Sequence, residues 1–174
     1  MTRKSSFAPV VREDTRVLIL GSLPGERSLA ERRYYAHPRN HFWRLVGSVI
    51  GRDLEALDYE ARLAALLAAR IGLWDTVASA TRAGSLDAAI REAEHNPLAE
   101  LVATLPELRA VAFNGATSAR IGLAALAGSA LALLPLPSSS PAYAAMPLAE
   151  KRRLWAAIGE FLGQPLASSG PEPQ

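Results

Sequence analysis

Two of the three histidines, two of the four tyrosines and one of the three tryptophans stand within ten residues, Tyr34-Tyr35-Ala36-His37-Pro38-Arg39-Asn40-His41-Phe42-Trp43. An aromatic ring can stack on a flat heterocycle, an imidazole can move a proton near neutral pH, and a carboxamide both donates and accepts hydrogen bonds. Pro38 suits the first turn of a helix, where its missing N–H costs nothing. Phe42, Leu45, Val46, Val49 and Ile50 then recur at the spacing of a buried helical stripe. The spacing predicts a helix from Pro38 to Gly51, with Asn40 in its first turn and its amide leaning back toward the preceding loop. A site of this composition could stack a flat ring and hold a polar molecule against it.

The elements that must position this stretch are short and apolar. Arg16–Leu20, closed by Gly21, reads as a buried strand, and Ile71–Val77 and Leu108–Phe113 read likewise. Leu131–Leu136 is a fourth candidate, against which Pro135 argues. Asp58 can cap a helix carrying Tyr59, Leu63, Leu66 and Leu67, and Asn96-Pro97 has the form of a helix start. An Ala-rich helix follows Gly115, and a last helix begins near Pro147. Ala78–Ser85 reads as loop and Leu86–Arg91 as a short helix. Apolar strands alternating with amphipathic helices predict a parallel α/β sheet covered on both faces. Residues 15–164 form one domain in this reading, 1–14 an arm, and the Pro-, Ser- and Gly-rich 165–174 a disordered tail.

Ligands of such sheets bind outside the carboxyl ends of the strands. Each predicted strand runs into a conformationally special loop: Gly21–Gly25, Asp75–Arg82, Asn114-Gly115 and Pro137–Pro141. All four should converge on one rim. Gly21–Gly25 offers backbone N–H groups, yet it matches neither a Walker loop nor Gly-x-Gly-x-x-Gly. Ser22 could serve as a nucleophile with His37 or His41 as base, although the Gly-x-Ser-x-Gly elbow is absent and a turn serine is usually a turn former. Asn114 before Gly115 reads as a turn, or as an amide for the edge of a base. Pro137–Pro141 reads as a rigid linker, or as small hydroxyl donors facing phosphates. Asp75 is a cap or loop organiser, or a carboxylate near the rim.

Composition narrows the chemistry. The 174 residues contain no cysteine, which excludes disulfides, thiolate catalysis and cysteine-ligated zinc. His37 and His41 lie four residues apart without an evident third ligand, so no metal site is expected. No apolar run approaches the roughly 20 residues that span a bilayer, and Met1–Val10 has no apolar leader core. The formal charge is only +2, but Arg27, Arg32, Arg33, Arg39 and Arg44 cluster around the aromatic stretch. They form either a solvated face or a nucleic-acid contact.

Together these stretches resemble the uracil-DNA glycosylase superfamily, and within it the hypoxanthine-DNA glycosylase family, the deoxyinosine-acting branch. The resemblance is carried by Gly21-Ser22-Leu23-Pro24-Gly25-Glu26-Arg27-Ser28-Leu29, Tyr34 through Trp43, Gly72-Leu73-Trp74-Asp75, Arg82-x-Gly84-Ser85-Leu86-Asp87, Phe113-Asn114-Gly115 and Leu136 through Ala142, in family order. The resemblance implies a three-layer α/β/α sandwich with a central four-stranded parallel sheet. It implies hydrolysis of the N-glycosidic bond of a deaminated base, hypoxanthine in first place, flipped out of DNA. Mismatch-specific uracil and thymine glycosylases carry Gly-x-Asn-Pro-Gly in the first loop, and their asparagine positions water. Leu23 stands in its place here, and a leucine cannot hold water.

By the same resemblance Asn40 takes over the water; on chemical grounds His37 can stabilise charge on the leaving base or donate a proton. Tyr35 stacks on the base, Asn114 reads it, and Gly21, Ser22 and Leu23 line its pocket. Pro137, Ser138, Ser139, Ser140 and Pro141 enter the minor groove; on charge grounds, Arg39 and Arg27 can contact phosphates. Lys4 and Lys151 are the only lysines, one in the arm and one in the last helix. The expectation is therefore a monofunctional enzyme without metal or cofactor, a cytoplasmic monomer whose partner is damaged DNA and which needs no protein partner. A mismatch-type uracil-DNA glycosylase, a serine hydrolase using Ser22 and a non-catalytic binder of damaged DNA are the alternatives.

Overall fold

The computed structural model describes residues 3–163. The tail expected over 165–174 lies outside them. Four parallel strands build the central sheet: β2 (Val17–Gly21), β3 (Ile71–Asp75), β6 (Ala110–Asn114) and β7 (Ala132–Leu136), in the order β3-β2-β6-β7. Every residue of β2, β3 and β6 is buried, as the continuous apolar runs require. Successive side chains point to opposite faces, so the runs divide by parity. Val17, Ile19, Leu73 and Ala112 join one core cluster with Phe42, Leu45, Leu66 and Trp155, while Leu18, Leu20, Val111 and Phe113 join the other with Leu98, Ala119 and Leu126. A short helix, α1 (Glu26–Glu31), follows the loop after β2; the first face is covered by α2 (Phe42–Ile50), α3 (Tyr59–Ala68) and α6 (Leu148–Trp155), the second by α4 (Leu98–Ala103) and α5 (Ala116–Ala125). This is the three-layer α/β/α sandwich. Pro135 is tolerated because β7 is an edge strand, where a missing donor breaks no ladder.

A second, three-stranded sheet departs from the sequence reading. β1 (Arg3–Ser5) pairs antiparallel with β4 (Val77–Thr81), and β4 pairs with β5 (Arg91–His95). The sequence places an arm, a loop and a short helix there. β5 is exposed at all five positions, so no apolar alternation marks it, and of the expected helix only a single 3-10 turn, Asp87–Ala89, remains. The N-terminal segment also guards the open edge of the main sheet. Val10 and Leu73 exchange hydrogen bonds of 2.9 Å, and a Cβ on Gly72 would lie 2.7 Å from Val11 Cγ1.

Two helix starts also differ. α2 begins at Phe42 and not at Pro38, because His37–Asn40 closes its own turn, Asn40 N–H donating to the His37 carbonyl at 3.0 Å. α4 begins after Pro97, and Asn96 does not cap it. Its side-chain amide instead donates to the Asp75 carbonyl at 2.8 Å, tying the end of β3 to the start of α4. Gly51 ends α2 in the left-handed region (φ 70°), and Asp58 caps α3 by accepting from Ala61 N–H, both as the sequence predicts.

Candidate active site

The carboxyl ends of the four sheet strands do converge, although of the predicted second loop, Asp75–Arg82, only Asp75 reaches the site, because Val77–Thr81 is strand β4. They enclose a pocket of about 140 Å³ bordered by Gly21–Gly25, Tyr35, His37, Asn40, Asp75, Asn114 and Ser138–Pro141. That is small beside the roughly 300–1,000 Å³ of sites for drug-sized ligands.

Tyr35 sits in the left-handed region (φ 54°), a costly conformation for a non-glycine residue that the surroundings must hold. Its ring stacks on Phe42 with centroids 3.7 Å apart and planes 11° apart. Trp43 Nε1–H donates to its carbonyl at 3.2 Å. The neighbouring Tyr34 is anchored in the core, its hydroxyl donating to the Ala8 carbonyl and its N–H to Tyr59 Oη, both at 3.0 Å. Within the aromatic stretch, Tyr34 and Trp43 fix the backbone, while Tyr34 and Tyr35 both border the pocket.

Asn40 precedes α2, and its side chain completes the helix end. Its Oδ1 accepts from Phe42 N–H at 2.9 Å, a cap that His41 does not supply. The amide is thereby held in one orientation at the positive end of the helix dipole, with a lone pair of Oδ1 and both Nδ2 hydrogens unused among the described residues. His37 Nδ1 accepts from Arg39 N–H at 3.1 Å, so the proton of the neutral ring lies on Nε2. His41 is turned elsewhere. Its N–H donates to the Ser139 carbonyl at 3.0 Å, and burial pushes its ring pKa down.

Asn114 is engaged on every side. Its Oδ1 accepts from Ser139 N–H at 2.9 Å, and its Nδ2 donates to Ser139 Oγ at 2.9 Å and to Tyr35 Oη at 3.4 Å. It clamps the loop after β7 to the end of β6. Trp155 adds a second clamp, Nε1–H donating to the Pro137 carbonyl at 2.9 Å. Within the loop, Ser138 Oγ accepts from Ser140 N–H, and Ser140 Oγ from Ala142 N–H. These local turns stiffen a segment that two prolines already restrict.

The first loop is held from beneath by Arg82, a buried guanidinium that donates to the carbonyls of Leu23, Pro24 and Gly84. Burial lowers its pKa. Leu23 turns inward and packs with Val77, Ala80 and Ile121. Among the described residues, the N–H groups of Ser22 and Leu23 meet no protein acceptor. Ser22 Oγ donates to Asp87 Oδ1 at 2.5 Å, with no histidine in the pair. The Ser–His pair that a serine nucleophile would use here is not formed, which weighs against that alternative.

Sequence reasoning missed Arg82 and Asp87 as builders of the site. Both lie in a stretch it reads as loop and short helix, and it names them only within the Arg82-x-Gly84-Ser85-Leu86-Asp87 segment of the resemblance, with no role at the site. Of the arginines around the pocket, Arg27 pairs with Glu31 at 3.2 Å and Arg44 with Glu55 at 2.8 Å, whereas Arg39 is exposed and unpaired among the described residues. Lys151 is not a surface residue of the last helix. It is 2 % exposed, with Nζ 5.3 Å from the centre of the Tyr143 ring, outside the pocket, and burial pushes its pKa down.

A family model described as the uracil DNA glycosylase superfamily matches residues 8–159. A protein of Methanosarcina barkeri named hypoxanthine DNA glycosylase is 47% identical over 116 residues, which is 67% of this chain and 73% of the relative. A protein of the same name from Methanosarcina acetivorans is 45% identical over 112 residues, 64% and 71% of the two chains. The solution NMR structure of a candidate uracil DNA glycosylase from Methanosarcina acetivorans superposes with a TM-score of 0.84 at 37% identity, covering 94% of this chain and all of that one.

Proposed function

The chain belongs to the uracil DNA glycosylase superfamily, and we propose that it hydrolyses the N-glycosidic bond of a deaminated base, hypoxanthine first, flipped out of DNA. One observation carries the reading most: a stacking ring and an oriented carboxamide face one base-sized pocket, each held by α2. Tyr35 lies on Phe42, and Asn40 accepts from Phe42 N–H. The likeness to two proteins named hypoxanthine DNA glycosylase supports the choice of base.

An enzyme that works on a base inside a duplex must first unstack it, at a cost of a few kcal/mol. Stacking on Tyr35 offsets that by about 1–3 kcal/mol. The loop of Pro137, Ser138, Ser139, Ser140 and Pro141 is rigid and clamped, suited to occupy the gap the base leaves. Arg39 supplies an unpaired cation for phosphate. As the bond breaks, positive charge grows on the sugar and negative charge on the base. Ser22 and Leu23 N–H groups and the His37 Nε2–H answer the second charge. Asn40 Oδ1 accepts a hydrogen from water and aims its oxygen at the anomeric carbon. With Leu23 turned into the core, no amide side chain occupies the first loop to do this.

No lysine borders the pocket, so we read the enzyme as monofunctional, leaving an abasic site uncut. We read it further as a cytoplasmic monomer that acts on DNA without cofactor, metal or obligatory protein partner. Base release from duplexes containing inosine, xanthosine or uracil tests the reading. Hypoxanthine should leave fastest. Uracil leaving fastest would favour a mismatch-type uracil glycosylase, and binding without release of any base would favour a damage binder.

A further inference from the structure

Asp75 ends β3 beneath the pocket. It is 3 % exposed, and its carboxyl borders the cavity. Oδ1 presses on Gly21, where a Cβ would come within 2.6 Å of it. Oδ2 is buried with no hydrogen-bond partner among the described residues. The groups that face it are Asp87 and Arg82 across the first loop and the hydroxyls of Tyr34 and Tyr35. Asp87 is engaged by Ser22, and the Arg82 guanidinium is spent on backbone carbonyls. Neither tyrosine is a cation. An ionised carboxylate here would be buried without a donor, which is strongly unfavourable. Burial, with the nearby Asp87 charge, accordingly pushes the Asp75 pKa well up. A protonated carboxyl would add an acidic O–H to the wall of this cavity, beside Gly21.

We infer that Asp75 is the general acid of this site, giving its proton to N7 of the extrahelical purine. The inference rests on the glycosylase reading. The proton moves from Asp75 to N7, and the bond between the anomeric carbon and N9 breaks with its electron pair going to the base, which departs neutral. The water held at Asn40 adds to the anomeric carbon, and its surplus proton passes to solvent, from which Asp75 is reprotonated. The choice of purine follows from the same O–H. Hypoxanthine presents two acceptors on the edge bearing N7, whereas adenine replaces one with an amino donor. A donor at Asp75 therefore favours the deaminated ring.

Two changes remove the same transfer independently. Asp75→Asn keeps the shape but has no proton to give, and 7-deazainosine in the DNA keeps the shape of the base but has no N7 to receive one. Single-turnover release by wild type should fall about 100-fold or more on 7-deazainosine relative to inosine, within the usual range for general acid catalysis. Asp75→Asn should lose a similar factor on inosine and little further on 7-deazainosine. The wild-type rate on inosine should fall tenfold per pH unit once the pH exceeds the raised pKa of Asp75, and that slope should vanish in Asp75→Asn. Equal wild-type rates on the two substrates, or penalties that multiply in the combined case, would overturn the assignment. Wild type that releases no base from any duplex would overturn the glycosylase reading instead.

Discussion

Asn114 and Asn40 are both asparagines at the mouth of one pocket, and their environments give them different work. Asn114 has three hydrogen bonds within the protein, two to Ser139 and one to Tyr35. Among the described residues Asn40 has one side-chain bond, to the end of its own helix. The resemblance assigns base reading to Asn114, but its amide is already committed to the loop after β7. Asn114→Ala should therefore act as a loop defect. Removing the amide strands the buried Ser139 N–H and costs about 1–3 kcal/mol, seen as a lower Tm. It should slow release of hypoxanthine and uracil alike. A loss confined to one base, with Tm unchanged, would restore the reading role. The same reasoning separates His37 from His41. Only His37 borders the pocket, and its Nδ1 bond to Arg39 N–H leaves the proton on the nitrogen free to meet a ligand.

At the scale of elements, the first loop is built from two sides. Arg82 binds its carbonyls from below, and Leu23 plugs it into the cluster of Val77, Ala80 and Ile121. Leu23→Asn, which copies the loop of the mismatch-specific relatives, should not transfer the water to this position. It should bury an amide among apolar side chains and destabilise by roughly 2–4 kcal/mol, with denaturant unfolding as the readout. A stable Leu23→Asn protein with raised uracil release would show that the loop turns its side chain outward.

The central sheet and α2 were legible because both are dictated by apolar burial. Val17–Leu20 and Ala110–Phe113 are covered on two faces, and the stripe of α2 on one. β4 and β5 were not legible, since Ser79, Thr81 and the whole of Arg91–His95 carry no alternation to read. The site was legible as four converging strand ends, and Tyr35 and Asn40 border the pocket they enclose. The hydrogen-bond partners were not legible. That Asn96 serves Asp75, that Asn114 serves Ser139, and that Asp87 receives Ser22 depend on long-range geometry, which local spacing does not encode.

For the whole molecule, the buried carboxyls link function to stability. Burial raises the folded-state pKa of Asp75, and also of Asp87 although Ser22 and Arg82 oppose it. A carboxyl whose folded pKa lies above its unfolded value of about 3.9 binds its proton more tightly when folded. Its stabilising contribution is complete below that unfolded value and is lost as pH rises through the folded pKa. Asp75→Asn, a neutral isostere, should therefore match wild type in Tm near pH 4 and exceed it at pH 7–8. A Tm difference independent of pH would mean that Asp75 is ionised in the folded protein. Such a buried, unpaired acid is kept at a cost to stability, as is common where a site needs a shifted pKa.

The most direct test of the account is single-turnover release of hypoxanthine from an inosine-containing duplex by wild type and Asn40→Ala, with lesion-DNA affinity measured in parallel. The account predicts that Asn40→Ala slows release by about 100-fold or more, the scale of a lost positioning or proton-handling group, while DNA binding changes little. Release at the wild-type rate in Asn40→Ala would contradict it, because the oriented carboxamide at the start of α2 would then not be what holds the water.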